Sequence, residues 1–177
     1  FLPYLRSVDA RYWENFLDRS ERFGVEYMGI DYVFASLLFE NTYARSKNLI
    51  GDRLESMGLR LDDFETMRNL AGAFSESAYR RLSPYLKDTK LVGFSCSHYQ
   101  LSGSLLLCSL IKKEYPHIRT VLGGKDCSGA FAYDILKNMD CVDYVGFGEC
   151  EVTVESLLEH IIDDEGNTTF VTSPFGS

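Results

Sequence analysis

The sequence predicts an α/β protein, with a parallel sheet that carries helices on its faces, preceded by a mostly helical region. Three short apolar runs follow one another in the second half of the chain, at 91–95, 119–124 and 143–149. Each run ends in glycine, serine or glutamate, and each is followed by a segment with helical periodicity. Short strands that alternate with helices are typical of a parallel sheet with helices packed against it.

The sequence pattern of the first 88 residues predicts a mostly helical region. Four segments have apolar or aromatic residues near helical spacing: 9–23, 31–38, 43–57 and 62–78. Asp9 and Asp62 are suitable N-caps, Gly24 and Gly58 are suitable stops, and Pro84 interrupts or ends the fourth helix. The aromatic residues of this region fall near helical spacing, so we interpret them as core residues rather than as a ligand-stacking surface.

Strands and helices alternate from residue 89 onwards. The strand over 91–95 leads into a helix that Ser102 or Ser104 caps and that Pro116 prevents from continuing. A strand over 120–122 then precedes a helix capped by Ser128. A third strand over 144–147 precedes a last helix that reaches residue 161, and 168–171 is a short edge strand. The predicted organisation is a helical region, an α/β core, and a turn with a linker, at 1–88, 89–163 and 164–177.

Composition and charge exclude several classes of protein. The chain has 177 residues, 45% of them hydrophobic, which is enough for a sizeable core. Its net charge of −8 and the lack of a basic stripe argue against a nucleic-acid partner. The apolar runs are too short to span a membrane. The five cysteines are widely spaced without a Cys-x-x-Cys pair, so we expect reduced thiols in a cytoplasmic protein.

Small and polar residues gather where the predicted strands end. In parallel α/β sheets the ligand lies beyond the carboxyl ends of the strands, and small residues let it approach the backbone. The candidate ligand-binding residues are Ser95, Ser97, Gly123, Gly124, Gly148 and Glu149. Because three such ends converge on one crevice, we favour a ligand site over three separate local structures.

Each of these residues also has a purely structural explanation. The glycine pair makes a tight turn, the two serines bond to the backbone of their loop, and a glutamate suits the start of a helix. A phosphate-binding P-loop is excluded, because Arg119 stands where its first glycine belongs and Asp126 follows Lys125. No set of nucleophile, base and acid is legible, so we assign no catalytic residue and no metal ligand.

Three stretches taken together resemble a known family. The stretches 92–95 (VGFS), 121–124 (VLGG) and 142–153 (VDYVGFGECEVT) resemble the cobalamin-binding domain of cobalamin-dependent radical SAM enzymes. Across about 75 residues they occur in the family's order and spacing. The segment 31–39 more weakly resembles the subgroup that modifies ribosomal peptides.

The resemblance implies a flavodoxin-like (Rossmann-like) fold that holds cobalamin at the strand ends. The six candidate residues would then line the pocket for the nucleotide tail. The family's second glycine in Gly-Glu-Gly-Glu is replaced by Cys150, which reduces the room there. Other cobalamin domains supply an axial histidine from an Asp-x-His-x-x-Gly loop after the first strand. This sequence lacks that motif and His98 follows a different strand, so we do not expect it to bind cobalt.

The resemblance also implies a larger enzyme, most often a methyltransferase. The chain lacks the Cys-x-x-x-Cys-x-x-Cys motif, so the iron–sulfur cluster and S-adenosylmethionine would belong to a downstream domain. The substrate would be a peptide or a small molecule. In the family a strand, a helix and a second strand precede this kind of sequence, which allows residues 1–5 to end that second strand and the chain to be a fragment. The alternative function is a non-catalytic binding or interaction module without a corrinoid.

Overall fold

The computed structural model shows a mixed α/β protein. The structure describes residues 26–56, 58, 60–97, 100–127, 130–147, 155, 158–159 and 169–172. The predicted helix over 9–23 lies outside these residues, and so does most of the predicted last helix. The chain divides into two compact units, Phe1–Arg81 and Leu82–Ser177.

The described part of the first unit is helical. Helix α1 spans Glu26–Leu38, α2 spans Glu40–Ser56, and α3 spans Leu61–Leu86 and continues past the end of this unit. Helix α1 begins five residues before the predicted start at Asp31. Helix α3 begins at Leu61, so Asp62 lies inside the helix rather than at its cap. Asp62 forms an exposed ion pair with Arg60 there.

The prediction that Pro84 interrupts or ends the fourth helix is wrong. Helix α3 continues through Pro84 and ends at Leu86. A proline inside a helix removes the hydrogen bond to the residue four positions earlier, here Arg80. Arg80 is exposed, so water can bond its carbonyl group. Because Pro84 lies within the last turn, few later hydrogen bonds depend on it.

Tyr43 anchors the packing of α2 against α3. Its ring stacks on Phe64 with centroids 5.8 Å apart, and the Arg68 guanidinium lies 4.8 Å from the ring centroid. Its hydroxyl donates a 2.8 Å hydrogen bond to Glu65, which also pairs with Lys47. Tyr43 is buried, which confirms the core interpretation for this residue, whereas Tyr32 and Phe39 are exposed and the interpretation is wrong for them. The cluster also gives the Tyr43 hydroxyl group a charged partner.

Tyr43 should be the origin of a stability loss at high pH. Burial, together with the hydrogen bond to Glu65, raises the pKa of Tyr43 to about 12 from the ordinary value of 10.0. A group whose pKa is raised by folding stabilises the protein below its unfolded pKa, so this stability is lost as the pH rises from 10 to 12. The free energy of unfolding, measured by chemical unfolding across that range, should fall more steeply with pH for the wild type than for Tyr43→Phe. Equal slopes would contradict the assignment, and the exposed Tyr85→Phe is the control.

The second unit contains a four-stranded parallel sheet. Strands β1 (Leu91–Ser95), β2 (Arg119–Gly123), β3 (Tyr144–Phe147) and β4 (Thr169–Thr172) lie side by side in chain order. Helix α4 (Leu101–Glu114) connects β1 to β2, and α5 (Ala130–Asn138) lies between β2 and β3. Strand β4 matches the predicted short edge strand within one residue and pairs with β3 in parallel.

The sheet is buried on both faces at β3 and is more open on β1. Register places Phe94, Leu122 and Val145 on one face, where Leu122 and Val145 are fully buried. Right-handed crossovers between strands in this order put α4 and α5 on the same face. On the opposite face Gly93 is exposed and its neighbour Val121 is only half-buried. Helices on both faces of the sheet therefore remain a prediction.

Neither Ser102 nor Ser104 caps helix α4, contrary to the sequence prediction. The helix begins at Leu101, and the side chain of its N-cap residue, Gln100, makes no capping hydrogen bond. Ser102 is instead buried within the helix. The amide oxygen of Gln100 accepts a 3.3 Å hydrogen bond from the backbone nitrogen of Ser97, so Gln100 organises the loop and not the helix.

Asp143 joins β2 to the start of β3 at the amino-terminal end of the sheet. Its Oδ2 accepts hydrogen bonds from the Thr120 backbone nitrogen at 2.7 Å and from Lys112 Nζ at 2.6 Å. Its Oδ1 lies 3.3 Å from Arg119 Nη1. Its own backbone nitrogen donates to the Thr120 carbonyl oxygen. Together these contacts of Asp143 fix the register of β2 against β3.

Candidate functional site

The carboxyl ends of β1 and β2 meet, as the sequence predicts. Ser95 is the register partner of Gly123, and the backbone nitrogen of Cys96 continues the ladder with a 2.7 Å hydrogen bond to the Gly123 carbonyl oxygen. Gly124 follows at once and is exposed. Three of the candidate ligand-binding residues, Ser95, Gly123 and Gly124, are therefore brought together at one edge of the sheet.

Gly124 has a structural reason to be glycine. Its φ is +99°, a region that L side chains rarely adopt. A Cβ atom there would contact the carbonyl oxygen of Cys96 and would lie 2.9 Å from its nitrogen. Its carbonyl oxygen accepts a 3.0 Å hydrogen bond from Cys127, which closes a tight turn. The tight-turn explanation of the glycine pair therefore holds for Gly124.

The turn after β2 is fastened to the loop after β1. The backbone nitrogen of Asp126 donates a 3.1 Å hydrogen bond to the carbonyl oxygen of Cys96. The Cys96 backbone thus bonds to both ends of the glycine turn, through its nitrogen and its carbonyl oxygen. Cys96 and Cys127 are both fully buried, so they support the two loops from inside the unit. The two loops consequently form a preorganised backbone surface.

The face around Ser95 carries mostly small residues on β1 and β2. Alternation along β1 puts Gly93 and Ser95 on the same face, and both are exposed. The β2 neighbours on this face are Val121 and Gly123, which are half-buried. A flat group could lie here against the backbone, with the Ser95 hydroxyl as a nearby donor or acceptor.

Ser97 lies two residues beyond this face. It is half-buried, and its backbone nitrogen is bonded to the side chain of Gln100. The remaining candidates, Gly148 and Glu149, lie outside the described residues, and so does His98. The structure therefore brings together the β1 and β2 contributions to the predicted crevice, while the β3 contribution stays a prediction.

Sequence reasoning missed two contributors to this edge. Gly93 opens the sheet face beside Ser95. The sequence contained a signal for it, a glycine inside the strand two residues before Ser95. The Cys96 backbone holds the turn at Gly124 by hydrogen bonds. Nothing in the sequence distinguishes Cys96 in this role, because backbone hydrogen bonding does not depend on the side chain there.

No metal site and no membrane helix is found in the described residues. They contain no group of three His, Cys, Asp or Glu residues that could hold a metal ion. No helix among them has both the length and the hydropathy needed to cross a membrane. Comparisons with protein-family models, with curated proteins and with solved structures found no match.

Proposed function

We propose that this chain is a flavodoxin-like cobalamin-binding domain that holds the corrinoid at the carboxyl ends of β1, β2 and β3. The observation that supports the proposal is the convergence of Ser95 and Gly123 in register, next to the exposed turn at Gly124. Ligands of open parallel sheets bind at this edge. The proposal also includes helices on both faces of the sheet and a cytoplasmic location.

The residues at this edge fit a flat group with a polar tail. Gly93 and Gly123 present backbone without side chains, which suits the planar benzimidazole that the resembled family places beside its sheet. Ser95 and Ser97 supply hydroxyl groups within the same loop and strand end. The chain's own task is then to bind and orient the nucleotide tail. Gly148 and Glu149 would complete the pocket from β3.

The larger reaction of the proposal follows from the family resemblance. Cobalamin in such enzymes supplies a methyl group, which most members transfer to an unreactive carbon of a peptide or small molecule. This chain would contribute the binding domain, and a domain with the iron–sulfur cluster and S-adenosylmethionine would contribute the radical chemistry. None of the candidate residues is assigned a catalytic role, and no residue of this chain is assigned as a ligand of cobalt.

A second function has one specific observation in its favour. Gly124 is required by its own backbone conformation and by the Cys96 backbone, so the most conspicuous glycine does not need a ligand to explain it. Under this alternative the chain is an interaction module without a corrinoid.

A pair of tryptophan substitutions, at the last residue of β1 and just before its first, separates the two functions. Ser95→Trp fills the exposed edge of the proposed pocket, whereas Lys90→Trp places the same side chain just before the opposite end of the same strand. Gly124 is unsuitable for this purpose, because any side chain there disturbs the turn. Hydroxocobalamin is titrated into each protein and followed by visible spectroscopy and calorimetry. Ser95→Trp should weaken binding by about tenfold or more, and Lys90→Trp should leave it unchanged.

The outcomes of this titration are distinct. Equal weakening by both variants would place any corrinoid elsewhere on the chain. The absence of binding by wild type and variants, with the fold intact by circular dichroism, would reject the corrinoid and favour the interaction module.

A further inference from the structure

Two thiols lie together between α4 and the turn that precedes β3. The sulfur of Cys108 is 2.7 Å from the carbonyl oxygen of Cys141, and the sulfur of Cys141 is 3.8 Å from the carbonyl oxygen of Leu105. Both cysteines are reduced and buried. Cys108 is fully inaccessible, whereas Cys141 keeps 8% of its surface exposed, next to the exposed Asp140.

The two thiols differ in chemical character. The neighbouring Cys141 side chain raises the pKa of the Cys108 thiol, and burial raises it further. The neighbouring Cys108 side chain lowers the pKa of Cys141, against the effect of burial. Because the thiolate is the nucleophile, Cys141 is the thiol that reacts first. It also belongs to the more exposed residue of the two.

We propose that Cys108 and Cys141 form a reversible disulfide when the protein meets hydrogen peroxide, and that this bond fastens α4 to the turn before β3. The Cys141 thiolate attacks one peroxide oxygen, the O–O bond breaks, and the departing hydroxide takes up the thiol's proton to become water. The sulfur of Cys108 then attacks the resulting sulfenic acid, its S–O bond breaks, and a second water leaves with the proton of Cys108. Two thiols are oxidised, and one peroxide is reduced to two waters.

The surroundings of the pair allow the bond to act as a staple. The Cys141 carbonyl oxygen also accepts a 2.6 Å hydrogen bond from Thr120 Oγ1, so the turn is held to β2 independently of the sulfur atoms. The disulfide closes a loop of 34 residues, which restricts the unfolded chain. Oxidation should therefore make the α/β unit more resistant to unfolding, and thiol reductants should reverse this.

Peptide mapping tests the pairing directly. The wild-type chain is treated with hydrogen peroxide, its remaining thiols are alkylated, and it is digested without reduction. A digest with trypsin and chymotrypsin together is suitable, because cleavage after Tyr99, Lys112, Lys137 and Tyr144 separates the five cysteines from one another. We expect one bridged peptide that contains Cys108 and Cys141 and disappears on reduction. Bridges only between other cysteines, or irreversible oxidation of Cys141 without a bridge, would overturn the proposal.

Thermal unfolding of the same samples tests the staple. Peroxide should raise the melting temperature of the wild type by about 5–10 °C. Cys108→Ser and Cys141→Ser each keep a hydrogen-bonding group, and neither should show the rise. Cys127→Ser, at a buried cysteine outside the pair, should keep it. A rise that persists without Cys108 or Cys141, or no rise in a wild type that carries the bridge, would contradict the inferred effect.

Discussion

Gly124→Ala should destabilise the protein by about 3 kcal/mol or more. Two independent costs combine at this position. The φ of +99° lies outside the region that alanine prefers, and the added Cβ would contact backbone atoms of Cys96. Backbone cannot move aside as a flexible side chain can, so the turn or the end of β1 must shift. The free energy of unfolding by urea measures the loss.

Gly58→Ala is the matched control for this substitution. Gly58 also has a positive φ, +71°, but a Cβ atom there has nothing within 4 Å. It should therefore incur only the conformational cost, about 1 kcal/mol. An equal loss in the two variants would show that the Cys96 contact adds nothing and that the glycine turn is not fastened to the β1 loop.

Asp143→Asn should cost about 2–4 kcal/mol, the second large effect. The substitution removes the charge that Lys112 and Arg119 face. It also replaces one carboxylate oxygen with an NH2 group, which cannot accept the hydrogen bonds that now reach Oδ2. The side chains of Asp143 and Lys112 are each only 16% exposed, so water replaces the lost partner poorly. Urea unfolding should show a lower midpoint with a similar slope.

Asp134→Asn provides the comparison at an exposed position on α5. It should change the free energy of unfolding by less than about 0.5 kcal/mol, as surface substitutions usually do. If Asp143→Asn is no worse than Asp134→Asn, the network around Asp143 does not fix the register of β2 and β3.

The sheet was predictable because its strands carry strong local signals. The runs at 91–95, 120–122 and 144–147 were predicted within one residue of the observed bounds of β1, β2 and β3. Their order also brings Ser95 and Gly123 into register, which was expected from the convergence of parallel strands. The role of the small residues at these strand ends as a ligand site stays a prediction.

Features that depend on tertiary contacts were not predictable. The residue type of Pro84 signals a helix end, but its position near the end of a long helix lets α3 pass through it. Ser102 resembles a cap in the sequence, yet α4 begins one residue earlier, at Leu101, and Ser102 is buried within it. The Asp143 network joins residues that are 23 or more positions apart, so no local pattern reveals it.

The proposed corrinoid site is tested most directly by titrating the wild-type chain with hydroxocobalamin and recording the visible spectrum. The account predicts a spectral change that saturates when corrinoid and chain are at equal concentration, with calorimetry giving the same end point. A spectrum identical to that of free hydroxocobalamin at every ratio, with no heat of binding and a folded protein, would contradict it.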